Sequence, residues 1–153
     1  MKLSTKGRYG VRAMVDLALH CNEKGATPLH SIAERQNISE HYLEQLIATL
    51  RKAGLVNSVR GAHGGYLLAK DPGEITVKDI IQTLEGPIAP SECVAEESEN
   101  NCENIDDCIT RLIWKKLQNT INEVLSSITL EDLRQEAIDA KHTGDHHGYL
   151  YHI

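Results

Sequence analysis

The sequence has no apolar run of about 18 residues, and its first residues, MKLSTKGRYG, lack the apolar stretch and cleavage site of a signal peptide. We therefore expect no transmembrane helix and a cytoplasmic location. A nucleophile elbow, a P-loop and an HExxH motif are also missing, so we do not expect an enzyme. No internal repeat or linker divides the 153 residues, which suffice for a core that is stable without disulfides or metal.

Basic residues are scarce in the second half of the chain. Residues 71–153 contain six Lys and Arg against seventeen Asp and Glu, whereas residues 1–70 contain ten against five. The net charge of −6 therefore conceals a basic N-terminal half. A basic region confined to one end is typical of a surface that binds a polyanion, although chance clustering of solvated charge gives the same count.

Helical periodicity and turn residues predict three helices and then a hairpin in the first half of the chain. A wide apolar face marks a helix over 5–21, and Thr27 with Pro28 predicts the start of a short second helix. Ser39 is the expected N-cap of a third, amphipathic helix that ends at Gly54. Two short β-type runs then flank RGAHGG, which predicts a hairpin. This order is typical of a winged helix-turn-helix domain, mainly α with a small β-hairpin wing.

The second half of the sequence predicts a long helix and two shorter ones. Thr76 and Thr129 are expected N-caps of the short helices, and the long helix begins near residue 107. Its apolar residues step by three and four positions, as in a seam that pairs with a partner helix. The predicted seam consists of Trp114, Leu117, Ile121, Val124 and Ile128, and Leu112, Ile113 and Leu125 widen it.

The third helix has an outer side that fits a DNA groove. Its apolar side is expected to rest on the first two helices, which leaves mostly polar residues facing outward. At the hairpin tip, glycines permit close approach to a phosphate backbone or minor groove, and Arg60 supplies charge. The alternative is an exposed helix that binds protein or nothing. The outward residues are Ser39, Glu40, Tyr42, Glu44, Gln45, Thr49 and Lys52.

Two long segments carry a family resemblance: MKLSTKGRYGVRAMVDLAL and SIAERQNISEHYLEQLIATLRKAGLVNSVRGAHGGYLLAKDP. With three cysteines before a Trp-containing helix, they resemble the IscR family of winged-helix regulators over about residues 1–135. The resemblance implies a homodimeric transcription regulator that pairs through its long helix and binds a palindrome-like promoter site in double-stranded DNA. The third helix is then expected in the major groove and the wing in the minor groove.

The resemblance also implies which residues contact DNA. Glu44 is expected to discriminate between DNA sites, while the alternative is a surface pair with Arg51 or Lys52. Where members of the family have a further glycine in the wing, this chain has Ala62-His63. The implied set is Ser39, Tyr42, Glu44 and Gln45 in the helix, with Arg60, Gly61, His63, Gly64 and Gly65 in the wing.

The segment CVAEESENNCENIDDC contains Cys93, Cys102 and Cys108, and seven acidic residues but no basic one lie between 86 and 107. Thiolates are soft ligands that suit iron–sulfur clusters, zinc or copper(I). The tight Cys-x2–4-Cys pair of zinc sites is absent, so the wide spacing favours an iron–sulfur cluster, and the resemblance implies a 2Fe–2S centre. A metal-free thiol switch and a solvated loop are the alternatives.

The fourth ligand of such a cluster is not evident. Cluster-binding members of the family have a histidine three residues after the last cysteine, where this chain has Arg111, and nitric-oxide-sensing members have a carboxylate at the position of Arg8. Arginine stays protonated and does not ligate iron. Arg8 therefore closes the route through a carboxylate of the partner's first helix, and the remaining candidates are a tail histidine, another group of the partner chain, or the loop carboxylates Glu103, Asp106 and Asp107.

Together these features predict a division into a DNA-binding domain (1–85), a cluster-binding loop (86–107), a dimerisation helix with a final helix (108–139) and a flexible His-rich tail (140–153). The expected function is a regulator that senses iron–sulfur cluster status and controls cluster-assembly genes. The alternative is a cluster-free regulator of cysteine metabolism, or a thiol redox switch of the same fold. The basic helix and wing disfavour an electron-transfer protein, which needs neither.

Overall fold

The computed structural model describes residues 2–21, 25–96 and 102–143, and within them it has six α-helices and one hairpin. The helices are α1 (Thr5–His20), α2 (Leu29–Gln36), α3 (Glu40–Lys52), α4 (Val77–Glu85), α5 (Ile109–Ser127) and α6 (Leu130–His142). Strands β1 (Val56–Val59) and β2 (Gly65–Leu68) pair antiparallel, with Val56 opposite Leu68 and Val59 opposite Gly65. The predicted winged helix-turn-helix architecture is confirmed.

The core forms where α1, α2, α3 and α4 meet. Helix α3 contributes four apolar residues at the predicted i, i+3, i+4, i+7 spacing, and all four are buried. Burying each such side chain contributes roughly 1.5–3 kcal/mol, so this face fixes which side of α3 turns outward. The four residues are Leu43, Leu46, Ile47 and Leu50.

Local capping defines the helix boundaries largely as predicted. The Ser39 hydroxyl accepts a hydrogen bond from the Tyr42 amide at 3.2 Å, and Gly54 follows α3 with a φ of +79°. Thr76 accepts from the Asp79 amide at 3.1 Å, and Thr129 accepts from the Asp132 amide at 3.2 Å. Each threonine therefore satisfies an amide of the first helical turn that has no partner within the helix.

Thr27 does not cap α2, and that prediction is wrong. Helix α2 begins at Leu29, with Pro28 at the N-cap position and no side-chain capping bond. The Thr27 backbone instead exchanges two hydrogen bonds with Tyr66 of β2, at 2.9 and 2.8 Å. This pairing satisfies both backbone groups of Thr27, whereas the expected cap uses only its side chain. Thr27 thus adds one residue of pairing beside the wing.

Glu85 at the end of α4 caps the beginning of α1. Its Oε1 accepts from the backbone amides of Ser4 (2.7 Å) and Gly7 (3.1 Å). A carboxylate at this end of a helix is also favoured by the helix dipole. A side chain at position 7 would collide with Glu85, so glycine lets α4 approach α1 closely.

Helix α6 returns to the N-terminal domain after α5. The Val77 amide donates to the Ile128 carbonyl and the Leu130 amide to the Ile75 carbonyl, both at 2.9 Å. Leu130 is fully buried and belongs to the same core as α1. The start of α6 is therefore anchored in the core that α1 helps to form.

Helix α5 exposes an apolar stripe that agrees only in part with the predicted seam. Leu117 and Val124 are exposed as expected, but Trp114 and Ile121 are partly buried, and Ile128 lies just beyond the helix. The shift arises because the opposite side of α5, with Gln118 only 5% exposed, packs towards α4. We define the α5 stripe as Ile109, Leu112, Ile113, Leu117 and Val124, which are 43–79% exposed.

Within the described residues, no helix is long and apolar enough to cross a membrane.

Candidate nucleic-acid interface and cysteine loop

The outward side of α3 presents most of the predicted DNA-contacting residues. Ser39 at the N-cap is exposed, and so are Glu44 and Gln45, which lie outside the buried apolar row. Tyr42 is partly buried, because its ring meets the ring of Tyr9 edge to face with centroids 6.0 Å apart. Three of the four predicted helix residues are therefore accessible, whereas Tyr42 packs against α1.

His41 lies on the same surface and is absent from the predicted set. Its Nε2 is 3.3 Å from Nε2 of Gln45, one helical turn later. If Nε2 of His41 carries no proton, it accepts a hydrogen bond from the side-chain amide of Gln45. This bond restrains the Gln45 side chain, and glutamine side chains recognise adenine through paired hydrogen bonds. The i, i+4 spacing is the sequence signal that identifies the pair.

Glu44 makes no salt bridge within the described ranges. The alternative partner Arg51 instead donates from Nη1 to the Ser58 hydroxyl of β1 at 3.2 Å. The Glu44 carboxylate thus remains available on the outward side of α3, where it can accept from a cytosine amino group.

The wing residues divide into a tip and a base. Arg60, Gly61 and His63 are exposed, and Gly61 has a φ of +111°, in the region that favours glycine. Gly64 and Gly65 are half-buried, and a Cβ at either would collide with backbone, of Val59 and Thr27 respectively. We infer that Arg60, Gly61 and His63 are placed to approach DNA, while the last two glycines allow the hairpin to close.

The cysteine segment begins and ends at defined backbone positions. Cys93 lies in a 3-10 turn (Glu92–Val94), Cys108 lies immediately before α5, and both are half-buried. Cys102 is exposed, and all three are free thiols. Arg111, which stands where a histidine ligand is expected in cluster-binding members of the family, donates from Nε to the Cys93 carbonyl at 3.4 Å. This bond ties the turn that contains Cys93 to the first turn of α5.

The described residues do not bring three potential metal ligands together. No group of three His, Cys, Asp or Glu side chains converges within 2–21, 25–96 and 102–143. The candidate fourth ligands Glu103, Asp106 and Asp107 are exposed. Residues 97–101 and the tail histidines beyond 143 lie outside the described residues, so the ligand predictions that involve them stay predictions. Cys21 is partly buried at the end of α1 and packs against the core, away from the loop.

The Cys108 thiol has a pKa below that of an ordinary cysteine, because of contacts with the first turn of α5. A hydrogen bond from the Thr110 hydroxyl, whose oxygen is 3.1 Å from Sγ, lowers the pKa of the Cys108 thiol, with help from the backbone amide of Arg111. Hydrogen bonds to sulfur favour the charged thiolate, which is the metal-binding and nucleophilic form. Cys108 is therefore prepared to act as a ligand at a lower pH than an ordinary thiol.

Replacing Thr110 with valine should slow the alkylation of Cys108. Because the hydroxyl lowers the pKa of the thiol, its loss raises that pKa and decreases the thiolate fraction at pH 7. The rates of wild type and variant should converge at alkaline pH, where both thiols are ionised. Iodoacetamide labelling followed by peptide mass spectrometry measures this. Thr120→Val is the control, since its hydroxyl donates to the Lys116 carbonyl. Equal rates at pH 7 in both variants would contradict the assignment.

The sequence is similar to those of bacterial transcriptional regulators. Residues 3–136 match the family model Rrf2, described as an iron-dependent transcriptional regulator. The transcriptional regulator CymR of Bacillus subtilis is 47% identical over 154 aligned positions, which cover all of both chains. The transcriptional regulator IscR of Photorhabdus laumondii is 48% identical over 141 positions, covering 91% of this chain and 84% of that protein.

Two solved structures share the fold at similar identity. The structure of CymR, the global cysteine regulator of B. subtilis, superposes with a TM-score of 0.74 at 48% identity and covers 89% of this chain and 98% of its own. The structure of IscR from T. potens gives a TM-score of 0.74 at 51% identity, over 92% of this chain and 90% of its own.

Proposed function

The chain belongs to the Rrf2 family of transcriptional regulators, and we propose that it is a homodimer that binds a palindrome-like promoter site and responds to the state of its cysteine loop. The observation that carries the DNA-binding part is the outward side of α3, where Ser39, Glu44 and Gln45 are exposed, together with the exposed Arg60 at the wing tip. A helix of this kind enters the major groove, and the wing approaches the adjacent minor groove.

The α5 stripe supports the homodimer. Five large apolar side chains along one helix are more than half exposed on average, and soluble proteins seldom leave such a continuous surface uncovered. Pairing with the same helix of a second copy buries the stripe with two-fold symmetry. Two recognition helices related in this way read half-sites about one DNA turn apart, or a multiple of it, which matches a palindrome-like operator.

Replacing Arg60 with alanine should weaken specific DNA binding by about 1–3 kcal/mol, or roughly 5- to 150-fold. The reason is that Arg60 is the one lysine or arginine at the exposed tip of the wing, residues 60–63. Fluorescence anisotropy on a duplex that the wild type selects from a random library measures the change. Lys70→Ala, an exposed cation beyond the other end of β2, is the control. If the two variants bind equally well, the wing does not contribute a specific contact.

We further propose that Cys93, Cys102 and Cys108 hold a 2Fe–2S cluster. Three reduced thiols on one segment, one of them with a lowered pKa, have the soft-donor chemistry that the group requires. Since the sulfurs of the described residues do not converge, binding requires the segment to bring all three sulfurs together. When bound, the cluster supplies a centre that iron supply or oxidation can create or destroy. A change in the loop would then reach α5 through Arg111, because its hydrogen bond joins the Cys93 turn to that helix.

A cluster-free regulator of cysteine metabolism is the second candidate. Two observations favour it: the similarity to the B. subtilis global cysteine regulator along the whole chain, and Arg111 at the position of an expected ligand. In this reading the loop thiols serve as a redox switch or as solvated residues, and DNA binding responds to another signal.

Iron and sulfide analysis of anaerobically purified protein separates the two candidates. The cluster proposal predicts a coloured protein with about two iron and two sulfide ions per chain. Serine variants of each loop cysteine should lose iron, while Cys21→Ser should retain it, because Cys21 packs against the core instead. A colourless protein, or one that contains only zinc, contradicts the cluster and supports the second candidate.

A further inference from the structure

A buried hydrogen-bond network joins α1 to the last turn of α2. Asp16 of α1 is 2% exposed and accepts from Nη2 (2.6 Å) and Nε (3.0 Å) of Arg35 and from the Gln36 amide (2.9 Å). Arg12 extends the network, because its Nη2 donates to the Gln36 carbonyl at 2.6 Å and its Nε to the Gln36 side chain at 3.3 Å. A cation is favourable here, where the last carbonyls of α2 lack partners within the helix.

The Arg12 guanidinium also reaches α3 through two aromatic rings. Its Cζ lies 5.4 Å from the centroid of the Tyr9 ring, within the range of a cation–π contact. The Tyr9 ring in turn meets Tyr42 edge to face, with centroids 6.0 Å apart and an interplanar angle of 80°. Tyr42 is in the first turn of α3, where its amide bonds to the Ser39 cap. One side chain of α1 is thus connected to the end of α2 and to the beginning of α3.

We propose that Arg12 is a positioning residue for DNA reading, which fixes the angle at which α3 leaves the turn. Only three residues separate α2 from α3, and the first, Asn37, is left-handed with φ 52° and ψ 49°. Small changes at either end of so short a turn move the whole outward side of α3. The proposal rests on the DNA-binding function proposed above and assigns part of it to a residue of α1.

Lysine cannot replace Arg12 in this role. The planar guanidinium donates from two nitrogens to Gln36 while its face lies over Tyr9. An ammonium keeps the charge but has neither the fork of donors nor the stacking surface. Arg12→Lys therefore separates geometry from charge, and Tyr9→Leu removes the ring while Tyr9→Phe keeps it.

Two measurements on the full chain test the proposal. Amide hydrogen exchange without DNA reports order at the first turn of α3, through the amides of Tyr42 and Leu43 that bond to Ser39. Anisotropy then compares the duplex that the wild type selects with a scrambled duplex of equal length. For Arg12→Lys and Tyr9→Leu we expect about tenfold faster exchange at these amides, about tenfold weaker binding of the selected duplex, and less than about twofold change for the scrambled duplex.

Tyr9→Phe should behave as the wild type, and so should Arg134→Lys, a matched substitution in the surface pair with Glu131 on α6. Unchanged exchange at α3, or equal losses on both duplexes with faster exchange along the whole chain, would overturn the positioning role. If the wild type selects no duplex but the exchange at α3 still responds to Arg12→Lys, the proposed DNA-binding function fails while the positioning of α3 by Arg12 is supported.

Discussion

The double substitution Leu112→Asp and Ile113→Asp is expected to convert the proposed dimer into a monomer. These residues are 70% and 54% exposed in the single chain. They belong to the N-terminal half of the α5 stripe. Burying two carboxylates per chain in an apolar interface without partners costs several kcal/mol, and every 1.4 kcal/mol is tenfold in affinity. We therefore expect the dimer to weaken by at least about 100-fold, measured by sedimentation equilibrium.

The same variant should lose most operator affinity while keeping its fold. A monomer engages one half-site at a time and forfeits the gain from two linked contacts. Circular dichroism checks the fold, which should persist because both side chains lie outside the core. Lys115→Glu is the control, since Lys115 is exposed on α5 but outside the stripe. A double variant that remains dimeric would show that the stripe is not the interface.

Replacing Arg35 with methionine is expected to destabilise the fold by about 2–3 kcal/mol. The change leaves the carboxylate of Asp16, whose side chain is 1% exposed, without its guanidinium partner. Breaking a fully buried pair typically costs about 3–5 kcal/mol. We expect a smaller loss here because the Arg35 side chain is 37% exposed, so that solvent screens the pair. Urea unfolding followed by circular dichroism measures the loss.

Two further variants identify the cause of that loss. Asp16→Asn combined with Arg35→Met should be less destabilised than Arg35→Met alone, because the buried charge is removed as well. Arg134→Met breaks the more exposed Arg134–Glu131 pair, which spans three residues on α6, and should cost less than about 1 kcal/mol. Comparable losses in Arg35→Met and Arg134→Met would mean that burial of Asp16 does not determine the energy.

Features encoded by local sequence were predictable. Helix α3 follows from the spacing of Leu43, Leu46, Ile47 and Leu50 together with the Ser39 cap, and these same residues fix which side faces outward. The glycine-rich hairpin follows for a similar reason, since its turn needs positive φ at Gly61. In each case neighbours within a few residues determine the conformation.

Features set by distant contacts were not predictable in detail. Thr27 has the local sequence of a helix cap, but pairing with Tyr66, 39 residues later, decides its conformation. The α5 stripe is rotated from the predicted seam, because packing of the Gln118 side towards α4 depends on the tertiary structure. The Arg12 network likewise joins residues of three helices and leaves no periodic signal. The cysteines were identifiable from sequence, whereas their convergence stays a prediction.

Comparing operator binding by cluster-containing and cluster-depleted protein shows whether the cysteine loop controls DNA binding. Anaerobic protein is compared before and after removal of iron by a chelator, on the same duplexes and at one salt concentration, because salt strongly affects DNA affinity. We expect removal of iron to change the affinity or the preferred duplex of the wild type. The triple serine variant of Cys93, Cys102 and Cys108 should not respond to the chelator. If the wild type binds the same duplex with the same affinity in both states, DNA binding does not respond to the state of the cysteine loop.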